Sequence, residues 1–182
     1  DGLDDKWPLE KVIPTSNYEG LLWLQWSNDS LYLLAQIYDN DVVVPDVLKY
    51  YEGADALELH MDIQPTRGSK PNYLQTGNDP NRYIFWICPK GAGFGGDEPY
   101  IGQWVPERIY NYEAKNLTAA VRQESNYYVI EARIPFYPVL GSFDPIKTKR
   151  HNRIGFNFVI HRSNEQRVYW AEQTSGPEAV SP

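Results

Sequence analysis

The strongest constraint on the fold is a two-residue alternation of apolar and polar side chains in short segments of the chain. In one such segment Leu57, Leu59 and Met61 occupy alternate positions, and Glu58 and His60 lie between them. A period of two places successive side chains on opposite faces of a β-strand, whereas a helix repeats every 3.6 residues. We therefore predict strands, with Met61 in the core and with Glu58 and His60 facing solvent.

Turn-forming residues divide the chain into many short segments of this kind. The chain contains 14 prolines and 13 glycines, and the polar stretch 27–30 has the character of a hairpin turn. Helix signals are confined to 45–51 and 135–140, where prolines limit any helix to a turn or two. Many short strands predict an all-β fold, an antiparallel β-sandwich of jelly-roll or immunoglobulin-like type. The predicted strands are 21–27, 31–38, 56–62, 82–88, 117–124, 127–134, 153–161 and 167–172.

Two long segments, 64–81 and 90–112, show no strand pattern and are predicted loops. Aromatic residues make up 14% of the chain, and the second segment contains Trp104 and four other aromatic residues. Long loops in a compact domain usually carry function. Since neither a repeat nor a linker is visible, we predict one domain over 1–182 with long aromatic loops.

Charge and cysteine content exclude several classes of protein. The net charge is −7, whereas a protein that binds duplex nucleic acid needs a basic surface, so we expect no nucleic-acid partner. No apolar stretch is long enough to span a bilayer. The single cysteine, Cys88, lies in an apolar run, which predicts a buried and inert thiol. Because the sequence begins with Asp1, we expect a fragment of a larger protein that has other domains.

The sequence gives little support for catalysis. A glycosidase needs two carboxylates at a fixed separation, and Glu58 and Glu131 are available, but carboxylates on strands are commonly the solvated face. The glycine-rich stretch 91–96 is followed by acidic residues, which would repel a phosphate. Asp39 and Asp41 follow a predicted strand and offer hard oxygen ligands suited to calcium. A polar turn is the alternative interpretation of these two aspartates.

Aromatic residues outside the core pattern are the more specific signal. Sugar rings stack on flat aromatic surfaces, and their hydroxyl groups need a few well-placed polar partners. Tyr50 and Tyr51 precede the strand that carries Glu58, and Trp104 and Trp170 are further candidates for such a platform. Together they favour a site for an oligosaccharide.

Five segments of the chain, in their order and spacing, resemble family 9 carbohydrate-binding modules. Each motif alone is weak, but together they cover nearly the whole sequence. They are 1–7 (DGLDDKW), 30–39 (SLYLLAQIYD), 53–62 (GADALELHMD), 128–136 (YVIEARIPF) and 154–158 (IGFNF) with the later Trp170.

The resemblance implies an antiparallel β-sandwich, often with structural calcium, that binds plant or microbial polysaccharides. It places the carboxylate that takes sugar hydroxyls at Glu58, and one of the family's two stacking tryptophans at Tyr50 or Tyr51. The second stacking position falls after Trp170, where this chain has the residues 174–177.

We therefore expect a non-catalytic module that belongs to an extracytoplasmic protein, such as a polysaccharide-degrading enzyme. Its ligand would stack on Tyr51 with Trp104 or Trp170, and the ligand's hydroxyl groups would donate hydrogen bonds to Glu58 and Asp55. Two alternatives remain open. One is a structural or interaction domain of a larger protein. The other is a haem-binding electron-transfer domain, for which Met61 is the only methionine ligand available.

Overall fold

Ten β-strands make up the regular structure that a computed structural model of the protein describes. The described residues are 12–14, 20–27, 29–43, 54–62, 82–89, 99–105, 117–136, 155–163 and 167–169. These ranges contain no helix long and apolar enough to cross a membrane. The strands are β1 (Val12–Pro14), β2 (Gly20–Trp26), β3 (Ser30–Ile37), β4 (Ala56–Asp62), β5 (Arg82–Cys88), β6 (Tyr100–Val105), β7 (Thr118–Gln123), β8 (Tyr128–Pro135), β9 (Gly155–His161) and β10 (Arg167–Tyr169).

The strands form two five-stranded sheets in which every neighbouring pair is antiparallel. The first sheet has the order β1-β2-β3-β8-β7, and the second has the order β10-β9-β4-β5-β6. A tight turn joins β2 to β3, where the amide of Ser27 donates to the carbonyl of Ser30 at 2.9 Å. The all-β class and the antiparallel sandwich predicted from the sequence are confirmed.

The sequence pattern does not predict two of these strands. β6 lies inside the segment 90–112, so the predicted loop is wrong for Tyr100–Val105, and Trp104 belongs to a strand. Gly102 removes a side chain from the alternation there, and the pairing of β5 with β6 shifts register between Ile84 and Phe85. β1 has only three residues, too few for a visible period.

One core cluster joins the inner faces of the two sheets. Alternate residues of β8 enter it, and Met61 lies in it at 2% exposure, which confirms the core position expected for that residue. The register places Met61 between Tyr83 and Phe156, so its thioether serves the core rather than a haem iron. The inner faces contribute, among others, Leu22, Leu33, Ile37, Leu57, Leu59, Phe85, Tyr128, Ile130, Ala132, Ile134 and Phe158.

Part of the outer face of the second sheet is also buried, which the alternation does not reveal. Trp86, Cys88 and Tyr100 form a second apolar cluster on this face. Glu58 shares the face and is only 8% exposed, so the expectation that it faces solvent is wrong. The period of two identifies the face of a strand, but it carries no information about whether that face is covered.

Cys88 behaves as predicted, as a fully buried thiol. Burial raises the pKa of this thiol well above its ordinary value, and the negative charge of Asp55 acts in the same direction. A thiol that stays protonated is neither a nucleophile nor a metal ligand.

We predict that Gly102→Ala destabilises the protein. Trp86 pairs with Gly102 across β5 and β6, and a Cβ atom on that glycine would lie 1.9 Å from Cζ2 of the indole. Because both residues are buried, the indole must move, and we expect a loss of about 1–3 kcal/mol in the free energy of unfolding. Urea denaturation measures the loss. Ala120→Val, on an exposed position of β7, serves as the control, and an equal effect of both variants would contradict the prediction.

Candidate functional site

Glu58 occupies the centre of the second sheet. Its strand, β4, lies between β5 and β9, and the register places Glu58 opposite Trp86 on one side and Val159 on the other. Side chains on the outer face of three strands therefore surround the carboxylate. A charged group at such a position needs hydrogen-bond partners, since an isolated buried carboxylate is strongly unfavourable.

Two histidines provide these partners, one to each carboxylate oxygen. His60 follows Glu58 by two residues on the same face of β4, and its Nε2 contacts Oε1 of Glu58. His161 ends β9 opposite Ala56, and its Nε2 lies 3.1 Å from Oε2 of Glu58. We call Glu58, His60 and His161 the Glu58 cluster.

The Glu58 cluster keeps its carboxylate charged. Burial by itself disfavours the charged form, but hydrogen bonds from His161 and His60 outweigh burial and hold the pKa of Glu58 well below its ordinary value. Because this pKa is lowered in the folded state, ionised Glu58 stabilises the fold at every pH above the ordinary pKa of a glutamate. The stabilisation is lost as the pH falls from that value towards the lowered pKa.

Exposure along this face shows from which side a ligand reaches the carboxylate. The side chain of His60 is 17% exposed, against 8% for that of His161. The cross-strand neighbours of His60, Ile84 and Asn157, are partly exposed as well. Trp86, by contrast, is fully buried. Access to Glu58 therefore lies on the side of His60.

A second group of carboxylates lies at one end of the sandwich, where β3 and β9 end and β4 begins. Asp55 accepts a hydrogen bond from the amide of Val43 at Oδ2, and a second one from the amide of Ser163 at Oδ1, 3.2 Å away. The amide of Asp55 in turn donates to the carbonyl of Val43 at 2.9 Å. Asp55 thus ties the segment after β3, in the first sheet, to the end of β9, in the second.

Arg162 provides a positive charge in the same place. Its guanidinium donates to the carbonyl of Tyr38, and its Nε lies 3.7 Å from Oδ2 of Asp39. We call Asp39, Asp55, Arg162 and Ser163 the strand-end cluster.

The strand-end cluster bears on the calcium prediction for Asp39 and Asp41. Oδ1 of Asp39 accepts the amide of Asp41 at 3.0 Å, and Arg162 faces its other oxygen. The described residues include no group of three or more His, Cys, Asp or Glu side chains arranged to hold a metal ion. The guanidinium of Arg162 would therefore compete with a cation for the carboxylate of Asp39, and the calcium ion at Asp39 and Asp41 stays a prediction.

The other predicted site residues lie in β6, at the end of the sandwich or outside the described residues. Tyr50, Tyr51 and Trp170 lie outside the described residues, so their stacking roles stay predictions. Trp104 lies in β6, between Gln103 and Val105, at the residue that the pairing with β5 skips. Asp55 is not joined with Glu58, because its hydrogen bonds are made at the end of the sandwich.

Sequence reasoning missed the partners of both carboxylates. The spacing of Glu58 and His60 by two residues already places them on one face of a strand, and this signal was sufficient to pair them. His161 and Arg162 come from a strand about a hundred residues further along, and their proximity depends on the pairing of β4 with β9. Nothing local in the sequence indicates that pairing.

The sequence matches the model of a known protein family. The family model described as carbohydrate family 9 binding domain-like matches residues 4–175. No curated protein matches the sequence.

Solved structures with similar folds include two family 9 carbohydrate-binding modules from Caldicellulosiruptor kristjanssonii. One, in complex with cellotriose, has a TM-score of 0.56 and 17% identity, over 86% of this chain and 67% of that one. The other, in complex with glucose, has a TM-score of 0.54 and 16% identity, over 87% of this chain and 72% of that one. A protein from Bacteroides uniformis gives a TM-score of 0.52 and 12% identity, over 88% and 74% of the two chains. At these identities the likeness shows the fold.

We predict that Asp55→Asn destabilises the protein and removes a pH dependence. An amide has one acceptor oxygen, so it leaves one of the amides of Val43 and Ser163 without its partner, at a cost of about 1–3 kcal/mol. Burial raises the pKa of Asp55 from 3.8 to about 6, against the opposing effect of the Val43 amide. The folded state therefore holds this proton more tightly, and the stability of the wild type falls, relative to the variant, as the pH rises from 3.8 through about 6.

Unfolding free energies of both proteins across this pH range test the prediction. Glu124→Gln, which changes an exposed carboxylate outside both clusters, is the control and should leave the stability nearly unchanged. Parallel curves for wild type and Asp55→Asn would show that Asp55 does not titrate in this interval.

Proposed function

Because the chain belongs to the carbohydrate family 9 binding domain-like family, we propose that it is a non-catalytic module that binds oligosaccharides or polysaccharides. The observation that carries the proposal is the family match, which extends over residues 4–175 and so over nearly the whole sequence. The charged carboxylate of Glu58 at the centre of a sheet supports it, since a sugar hydroxyl needs such an acceptor.

The proposed mechanism combines a charged acceptor with stacking. Glu58 accepts hydrogen bonds from sugar hydroxyls, and these are stronger than bonds between neutral groups because the acceptor is ionised. Tyr50 or Tyr51, with Trp104 or Trp170, supplies the aromatic surface on which a pyranose ring lies. A sugar contact at Asp55 stays a prediction, and the two oxygens of this residue accept the amides of Val43 and Ser163 at the end of the sandwich.

The family 9 modules of similar fold suggest the first ligands to test. Their complexes contain cellotriose and glucose. We propose a glucan oligosaccharide as the ligand of this chain, and an extracytoplasmic parent protein that acts on or binds polysaccharide. A structural calcium ion at Asp39 and Asp41 stays a prediction, and such an ion would have to compete with Arg162 for Asp39.

A second candidate function rests on the burial of Glu58. A carboxylate that is 8% exposed and contacts two imidazoles can serve sheet stability alone. The chain would then be a structural or interaction domain that keeps the fold of a sugar-binding module without its site. The two functions differ in whether any sugar binds to the folded protein.

We predict that cellotriose shifts the tryptophan fluorescence of the wild type saturably, and that Glu58→Gln weakens this binding at least about tenfold. The variant keeps the size of the side chain and removes the charge. Glu131→Gln, on β8 of the other sheet, is the matched control and should bind as the wild type does. Tyr51→Ala tests the stacking surface in the same titration.

Reduction of the sugar with borohydride distinguishes recognition of a chain end from recognition of internal units. Lost binding after reduction would place recognition at the reducing end. If a folded wild type gives no saturable shift with cellotriose, glucose or a wider panel of oligosaccharides, the binding function is wrong and the structural alternative takes its place.

A further inference from the structure

The Glu58 cluster brings together side chains from two strands at a single carboxylate. His60 reaches Oε1 from the same strand, and His161 reaches Oε2 from β9. Each imidazole fixes one oxygen, so together they fix the plane and the direction of the carboxylate. One hydrogen bond would leave it free to turn about its terminal torsion, which is broad for glutamate.

We propose that His60 and His161 are positioning residues for sugar recognition, which hold the carboxylate of Glu58 in one fixed orientation. This inference rests on the proposed function. It names two residues that would support sugar binding through their contacts with Glu58. It assigns a role to a pair of histidines that neither metal binding nor catalysis explains.

The number of acceptor positions on a carboxylate allows this role. An ionised carboxylate offers about four lone-pair directions, and the two imidazoles account for two of them. The contacts with the two histidines do not by themselves fill the acceptor positions of the carboxylate, and a hydroxyl would approach it from the accessible side. That side is the one of His60, whose side chain is the more exposed of the two.

The charges on this face set the expected pH dependence. Besides the two histidines, the register places further titratable residues on this face: Asp62 on β4, Arg82 and Cys88 on β5, Tyr100 on β6, and Arg167 and Tyr169 on β10. Burial raises the pKa of Glu58, and the hydrogen bonds and charges of His161 and His60 lower it. Removal of one imidazole takes away part of the interaction that lowers the pKa of Glu58, while burial still raises it. The pKa of Glu58 should therefore rise.

Two pairs of variants test the proposal in cellotriose titrations from acid to neutral pH. His161→Phe and His60→Phe remove the donor and keep a ring of similar size, whereas His161→Gln and His60→Gln keep a donor. We expect the Phe variants to bind about tenfold or more weakly at neutral pH. Their binding should also be lost at higher pH on acidification than that of the wild type. The Gln variants should recover most of both properties.

Carboxyl chemical shifts of Glu58, measured by NMR in the protein without sugar, give a second readout. In the wild type we expect no titration of this carboxyl between about pH 4 and about pH 8, and in the Phe variants we expect it to titrate within that range. His60 is partly exposed, so the His60 pair keeps the test available if His161→Phe does not fold.

The outcomes separate the inference from the proposed function. If the wild type binds cellotriose and all four histidine variants bind equally well with the same pH profile, the positioning role is wrong and the binding function stands. If Phe and Gln variants lose binding alike, the imidazoles matter only for packing, and the inference is overturned. If the wild type binds no sugar, the function and the inference fail together.

Discussion

A buried carboxylate without hydrogen-bond partners is strongly unfavourable. Glu58, in the middle of the second sheet, meets this requirement through side chains of its own strand and of β9. Glu58 lies between β5 and β9, where only side chains on the same face can reach it. The antiparallel register of β4 and β9 places His161 within range of Oε2, and the strand period places His60 within range of Oε1. A shift of one residue between β4 and β9 would turn one set of side chains to the other face and remove this pairing.

Among the residues that the structure describes, Asp55 and Glu58 are buried carboxylates whose pKa values move in opposite directions. Asp55 receives hydrogen bonds from neutral backbone amides and lies near Asp39, so burial prevails and raises its pKa. Glu58 receives hydrogen bonds from two imidazoles, which prevail over burial and lower its pKa. The nature of the partners, more than the degree of burial, thus separates a carboxylate that fastens the ends of the sheets from one that remains charged in a candidate binding site.

The fold followed from the sequence because a buried inner face leaves a local trace. Leu57, Leu59 and Met61 could be assigned to the core from their spacing alone, and their burial confirms it. The two-residue pattern is not visible where the strand is irregular. In β6, a glycine and a shift in register interrupt the alternation. The pattern also fails to distinguish a solvated outer face from a covered one, and so Glu58 was expected in solvent. One partner of each carboxylate, His161 for Glu58 and Ser163 for Asp55, lies about a hundred residues further along the chain, and no local pattern encodes these contacts.

The same long-range contacts give the candidate site a property that a flexible loop would lack. The imidazoles satisfy Glu58 before any ligand arrives, so the acceptor is already ionised and oriented in the free protein. A ligand that binds to such a group does not have to order it, and more of the interaction energy remains as affinity. Because β4 is a central strand with a neighbour on each side, the backbone that carries Glu58 is fixed by two sets of ladder hydrogen bonds. Stacking residues elsewhere in the chain would then act against a fixed reference point, and their placement would decide which sugar fits.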